Sequence, residues 1–204
     1  MRSSGTVYLI GAGPGDAGLM TLRGAELLAR ADVVVYDALI NGDILGMSPP
    51  SAEIIYAGKR SGVHVIPQDE LNRLLVEKAR AGKCVVRLKG GDPYIFGRGG
   101  EEAQALAEAH IRFEVVPGVS SIYAAPAYAG IPITHRDHCS NFTVFTGHED
   151  PAKSESAADW ARAAKIPGTK IILMGVTRIR GALPSLLPSS LPLDNLPKLF
   201  PSLC

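Results

Sequence analysis

Thr6-Val7-Tyr8-Leu9-Ile10-Gly11-Ala12-Gly13-Pro14-Gly15-Asp16 is a short apolar run that breaks into a glycine-rich loop. The apolar run predicts a strand over Thr6–Ile10. Leu22, Ala25, Leu27 and Leu28 follow at helical spacing, with Thr21 placed as the N-cap. This strand, loop and helix set the pattern for what comes after. Ala31–Tyr36 reads as a strand without polar alternation, as expected of one covered on both faces of a parallel sheet. Pro67 opens a helix whose first turn carries Gln68, Asp69 and Glu70, suited to its positive end. Leu71, Leu74 and Leu75 form its buried stripe, and Gly82 stands where a closing glycine belongs. A strand at Cys84–Leu88, a helix at Glu101–His110 and a strand at Phe113–Val116 complete the series. The fold class is therefore α/β, with a mostly parallel sheet in the first of two domains.

After Pro117-Gly118 the chain changes character. A helix of small residues is expected near Ser120–Ala129, then strands at Phe142–Thr146 and Lys170–Met174 flanking a short helix around Trp160. Gly147–Ser156 reads as a polar surface loop. These features divide the chain into a first α/β domain at 1–118, a partial second α/β domain at 119–180 and an atypical tail at 181–204. The tail holds Pro184, Pro188, Pro192, Pro197 and Pro201 among leucines and serines. Prolines at that interval suit neither a regular helix nor a central strand.

The 204 residues carry 21 basic and 20 acidic side chains, a net charge of +1. That balance argues against a nucleic-acid binder working by bulk electrostatics. The longest uncharged run, residues 115–134, is interrupted by Pro117, Gly118, Pro126, Gly130 and Pro132, so it reads as buried loop and helix, not as a membrane span. The amino-terminal apolar run is too short for a secretory core. Cys84, Cys139 and Cys204 fit neither a zinc knuckle nor a disulfide framework, so a cytoplasmic protein with reduced thiols is expected. His64, His110, His138 and His148 form no ligand spacing, and no metal is implied.

Two loops carry the chemistry. The first, Gly11–Asp16, lets the backbone turn sharply and approach a ligand. It departs from the dinucleotide pattern G-x-G-x-x-G, because Asp16 stands where the last glycine belongs and would repel a pyrophosphate. Pro14 also removes a donor. An uncharged or zwitterionic ligand fits this loop, and so does a close-packed backbone with no ligand. The second loop, Arg87-Leu-Lys-Gly-Gly-Asp-Pro-Tyr-Ile-Phe-Gly-Arg98, follows a strand and so lies at the carboxyl edge of the sheet, where open α/β sheets bind ligands. In it, Asp92 could accept from an ammonium group. From Lys59 to Arg98 there are nine basic residues against four acidic ones. Lys59, Arg60, Arg87 and Arg98, all placed in or beside loops, are the candidates for holding a polyanionic substrate.

These loops, with Val35-Tyr-Asp37, Gly58-Lys-Arg60, Gly97-Arg-Gly-Gly-Glu-Glu102, Val116-Pro-Gly118 and Gly130-Ile-Pro-Ile-Thr-His-Arg136, resemble the tetrapyrrole methylase family in order from residue 6 to about 176. Within it they are most similar to the branch that methylates uroporphyrinogen III. The resemblance implies methyl transfer from S-adenosyl-L-methionine to ring carbons, giving precorrin-2 by way of precorrin-1. It further implies a cofactor site drawing on Pro14, Gly90, Gly91, Asp92, Ile95, Ser120, Ser121 and Met174. By the same resemblance Asp37 is the proton acceptor and Lys59 the donor, with a simple carboxylate clamp the alternative for Lys59. Arg60, Arg87, Arg98 and Arg136 would bind the carboxylate-rich tetrapyrrole. A homodimer is implied if the second domain is intact.

Beyond Val176 the family's helix, Gly-Arg turn and closing strands are not recognisable in the sequence. The reading is a second domain left incomplete by truncation or a shifted frame. Two alternatives to the methyltransferase stay open on the sequence: a degenerate, non-catalytic homologue without a complete cofactor site, and a different tetrapyrrole methylase. A nicotinamide-dependent oxidoreductase is disfavoured by Asp16.

Overall fold

The computed structural model describes residues 4–58, 66–147 and 160–175. Within the chain two compact units form, Met1–Ala129 and Gly130–Cys204. The first is built on five strands: β1 (Thr6–Gly11), β2 (Val33–Tyr36), β3 (Glu53–Tyr56), β4 (Cys84–Lys89) and β5 (Arg112–Val116). They lie in the order β3-β2-β4-β1-β5, and each neighbouring pair is parallel. The connecting helices are α1 (Leu22–Leu28), α2 (Gly42–Leu45), α3 (Gln68–Arg80) and α4 (Gly99–Glu108), followed by α5 (Ser121–Tyr128).

Alternation along the strands splits the core in two. Val7, Leu9, Val33, Val35 and Val85 face α3 and α4, meeting Leu71, Leu75, Ala79, Ala103 and Leu106. On the other face Ile10, Val34, Val86 and Leu88 pack with Leu27 and Leu28 of α1 and Ile44 of α2. This is why the central strands read as unbroken apolar runs: both faces are covered. Leu75 and Leu106 are fully buried, each contributing about 1.5–3 kcal/mol of apolar burial.

The winding decides where a ligand can sit. From β1 the chain moves outward to β2 and β3 through helices on one face. Through α3 it returns to β4, and then passes to β5 with α4 on the opposite face. The loops leaving β1 and β4, neighbours in the sheet, therefore diverge to opposite sides. That makes their carboxyl ends the switch point at which doubly wound sheets open a crevice.

Local signals explain most boundaries. Thr21 caps α1, its hydroxyl accepting the Gly24 N–H at 3.1 Å. Pro67 precedes α3, with Asp69 and Glu70 in the first turn and Lys78 and Arg80 in the last, matching the helix dipole. Gly82 takes a positive φ of 80° just past the α3 C-cap, a conformation glycine adopts without strain. The break between units falls after Ala129 and not after Gly118, the boundary that the change in composition suggests. The reason is α5. Its N-cap Ser120 is buried, Ile122 and Ala124 are buried, and the Tyr128 hydroxyl donates to Asp16 Oδ2 at 2.7 Å, so the helix belongs to the first unit.

The second unit holds β6 (Phe142–Thr146), α6 (Trp160–Lys165) and β7 (Thr169–Leu173), with β6 and β7 parallel. The tail expected at 181–204 and most of the loop expected at 147–156 lie outside the described residues. Among the described residues no helix is long and apolar enough to cross a membrane.

Candidate functional site

The two glycine loops meet at the switch point. Gly91 donates its N–H to the Gly13 carbonyl at 2.7 Å, and Gly13 returns one to Gly91 at 3.2 Å. Ala12 N–H donates to the Lys89 carbonyl at 2.8 Å, so the β1–β4 pairing runs on into the loops. The β5 exit closes against them: a Cβ placed on Gly118 would collide with the backbone of Gly91 and Gly11. Gly91 differs. It holds φ at 65°, and a Cβ there would meet nothing within 4 Å, so the space above it is open to a ligand.

Asp92 ties these loops together. Its Oδ1 accepts the Tyr94 N–H at 2.8 Å and its Oδ2 the Gly118 N–H at 3.1 Å. Both oxygens thus accept from backbone donors, and each keeps a second acceptor site. Ile95 is partly exposed beside it, and the bulky Phe96 is held at φ 51° and Arg98 at φ 58°. Left-handed backbone at a non-glycine residue is strained. Here it falls on the loop carrying the cofactor candidates. Pro14 is exposed at the tip of the first loop. Ser120 caps α5, accepting the Ile122 N–H at 3.3 Å, and Ser121 opens that helix, half-buried. Pro14, Gly90, Gly91, Asp92, Ile95, Ser120 and Ser121 therefore share the carboxyl edge of one sheet. Met174 stands in the second unit just after β7, half-exposed, with φ 55°.

Asp37 directly follows β2 at the same edge. Its Oδ1 accepts the Leu39 N–H at 3.1 Å, while Oδ2 lies 3.7 Å from the Arg87 guanidinium. Arg87 itself is buried. It donates to Glu102 Oε1 at 3.0 Å, to the Leu88 carbonyl at 3.0 Å and to the Val35 carbonyl at 3.4 Å. Its role as a free clamp for substrate carboxylates is therefore corrected, because alternation from Val85 turns it inward beneath α4. Lys89, two residues on, is also buried and donates to the same Glu102 oxygen at 3.0 Å. Burial pushes the Lys89 amine below the usual lysine range, Arg87 adds to the effect, and Glu102 opposes it.

Glu102 was not among the residues singled out by sequence. The signal was present: Glu102, Ala103 and Leu106 share one helical face, and that face is buried. The local cationic excess is correspondingly smaller than the sequence window suggests. Glu101 and Glu102, just past its end, engage three of its members, and Lys78 pairs with Glu53. Arg98 is exposed and holds Glu101 through two bonds of 2.8 and 2.7 Å. Arg136 is exposed in the second unit. Lys59 and Arg60 lie outside the described residues.

Asp16, which breaks the dinucleotide pattern, caps a 3-10 turn at Ala17–Leu19 through the Gly18 N–H at 2.7 Å. The Tyr128 hydroxyl, and then the Gly18 N–H, hold its carboxyl below the usual range. A carboxylate thus stands on the first loop at the position of the dinucleotide pattern's last glycine. Among the described residues no group of three or more His, Cys, Asp or Glu side chains is placed to hold a metal ion.

The first unit is thus a doubly wound domain whose carboxyl edge suits a compact ligand gripped by backbone and not by phosphate contacts. The family model for Tetrapyrrole (Corrin/Porphyrin) Methylases matches residues 6–198, and the chain belongs to that family. The match continues past residue 176, where the recognisable motifs end. An S-adenosyl-L-methionine-dependent uroporphyrinogen III methyltransferase of Methanosarcina barkeri is 58% identical over 172 residues, spanning 84% of this chain and 68% of the relative. Siroheme synthase 2 of Serratia proteamaculans is 50% identical over 177 residues, 87% of this chain but 37% of the longer relative. The crystal structure of uroporphyrin-III C-methyl transferase from Thermus thermophilus, complexed with S-adenosylhomocysteine, superposes with a TM-score of 0.73 at 40% identity, covering 90% of this chain and 74% of that one.

Proposed function

We propose that the chain methylates uroporphyrinogen III to precorrin-2 by way of precorrin-1, with S-adenosyl-L-methionine as donor, in the supply of siroheme or cobalamin. The observation that carries this is the extended identity to the Methanosarcina enzyme, 58% over 84% of this chain. The edge described above fits the donor: open space over Gly91, a backbone cradle and a standing anion in place of a phosphate grip.

When bound, S-adenosyl-L-methionine supplies a methyl group on a positively charged sulfur, open to displacement by an electron-rich pyrrole carbon. The protein's part is alignment and proton handling. Pro14, Gly90, Gly91, Ile95, Ser120 and Ser121 would seat the donor, with Asp92 fixing the loops that do so. Asp37 would take the proton released at the ring system, and Lys59 would return one. Arg60, Arg98 and Arg136 would meet the substrate carboxylates, and Met174 would serve the donor site. A cytoplasmic homodimer acting on a small-molecule substrate, with no nucleic-acid or membrane partner, completes the proposal.

Uroporphyrinogen III incubated with the chain and methyl-labelled S-adenosyl-L-methionine tests it, with tetrapyrroles separated and counted. Label in precorrin-2 is expected. Folded protein that binds S-adenosylhomocysteine yet labels no tetrapyrrole would overturn the substrate assignment.

A further inference from the structure

Within the first unit, one buried side chain is used by nothing in the mechanism above. Glu102 is completely buried, yet only its Oε1 is engaged, by Arg87 at 3.0 Å and Lys89 at 3.0 Å. Its Oε2 has no hydrogen-bond partner among the described residues. An orphaned carboxylate oxygen in the core is costly, and Glu102 tolerates it while partnering two buried cations through its other oxygen. The arrangement makes sense through what it does to Arg87. Arg87 stands between two carboxylates: it hydrogen-bonds Glu102, and it lies 3.7 Å from Asp37, beyond hydrogen-bond reach. Two backbone carbonyls, of Val35 and Leu88, fix the rest of the guanidinium.

We infer that Glu102 is a positioning residue for Asp37, acting through Arg87. By drawing the guanidinium to itself, Glu102 keeps Arg87 near enough to orient Asp37 but too far to capture it. Asp37 then keeps an oxygen free to take a proton. Lys89 offsets the second negative charge, so the cluster of Asp37, Arg87, Lys89 and Glu102 is balanced. Beyond these four, the charged groups facing the cluster among the described residues are Glu101 and Arg98 at the start of α4, with Asp69 of α3 beyond Arg98. The inference rests on the proposed role of Asp37 as proton acceptor.

Wild type and Lys89→Met/Glu102→Gln make the comparison. Wild type keeps Glu102 on Arg87, with two positive and two negative charges in the cluster. The double variant keeps one of each, on Arg87 and Asp37, but frees Arg87 to close on Asp37. Carbon-13 carboxyl NMR follows the Asp37 titration, the resonance assigned by its loss in Asp37→Asn. The midpoint is expected to fall by about one pH unit from wild type to the double variant. The acidic limb of methyl transfer should move with it, while the KM for S-adenosyl-L-methionine holds. Equal midpoints in the two proteins overturn the inference. If the double variant unfolds, Glu102→Asp retracts the carboxylate by one carbon. Its Asp37 midpoint should then lie below that of wild type, and an unmoved one overturns the inference. A displaced midpoint in a chain that transfers no methyl group supports the positioning role and counts against the proposed function instead.

Discussion

The carboxylate of Asp92 accepts the backbone N–H of Gly118 at 3.1 Å, joining the loop that leaves β4 to the loop that leaves β5. With Tyr94 on its other oxygen, Asp92 fixes the geometry of the carboxyl edge. An asparagine offers one acceptor oxygen where the aspartate offers two, and turns an NH2 toward a donor. Asp92→Asn is therefore expected to cost about 1.5–3 kcal/mol of stability. S-adenosylhomocysteine affinity, measured by calorimetry, should fall at least about tenfold. A variant with unchanged melting temperature and affinity would contradict this role.

Glycines 91 and 118 should separate binding from folding. A methyl at Gly118 would strike the backbone of Gly11 and Gly91, so Gly118→Ala should lower the melting temperature and the affinity together. At Gly91 the methyl has room, and the strain of a positive φ is the main structural cost, about 1 kcal/mol. Gly91→Ala should lose more donor affinity than stability. Equal losses in both variants would show that the open space at Gly91 is not used by a ligand.

Arg98 pairs with Glu101 on the surface, a contact worth little to stability. Arg98→Ala should leave the melting temperature within about 0.5 kcal/mol equivalent of wild type. If Arg98 meets the tetrapyrrole, the KM for that substrate alone should rise. A rise in the KM for S-adenosyl-L-methionine would place Arg98 at the donor instead.

Lys89 gives a pH signature. Its folded pKa lies below the ordinary value through burial, so its protonated form destabilises the fold at neutral pH. That penalty disappears as pH rises through the folded value toward the unfolded one of about 10.4. The melting temperature of wild type relative to Lys89→Met should therefore increase as pH rises toward about 10.4. A flat difference would mean that the amine is not desolvated.

Much of this was legible in the sequence, because the central strands are apolar on both faces and the glycine loops follow them directly. Thr21 and Gly82 mark helix ends by simple capping chemistry, and the structure uses both that way; Pro67 and Ser120, read as the first residues of their helices, stand one position before them. The edge strand β3 and the single-turn α2 were missed. β3 has two of its four residues exposed, and α2 is too short for periodicity to register. The close approach of the two loops was legible where glycine permits it, at Gly90 and Gly91. It was not legible where pairing in space decides it. Arg87 read as a loop cation because its partner Glu102 lies fifteen residues away, and charge counted along a window ignores which face each residue takes.

Methyl transfer to uroporphyrinogen III by the wild-type chain and by Asp37→Asn, with labelled S-adenosyl-L-methionine, measures the whole account at once. It predicts labelled precorrin-2 from wild type, at least about a hundredfold less from Asp37→Asn, and equal S-adenosylhomocysteine affinity for both. No label from folded wild type, or equal rates from the two proteins, would contradict it.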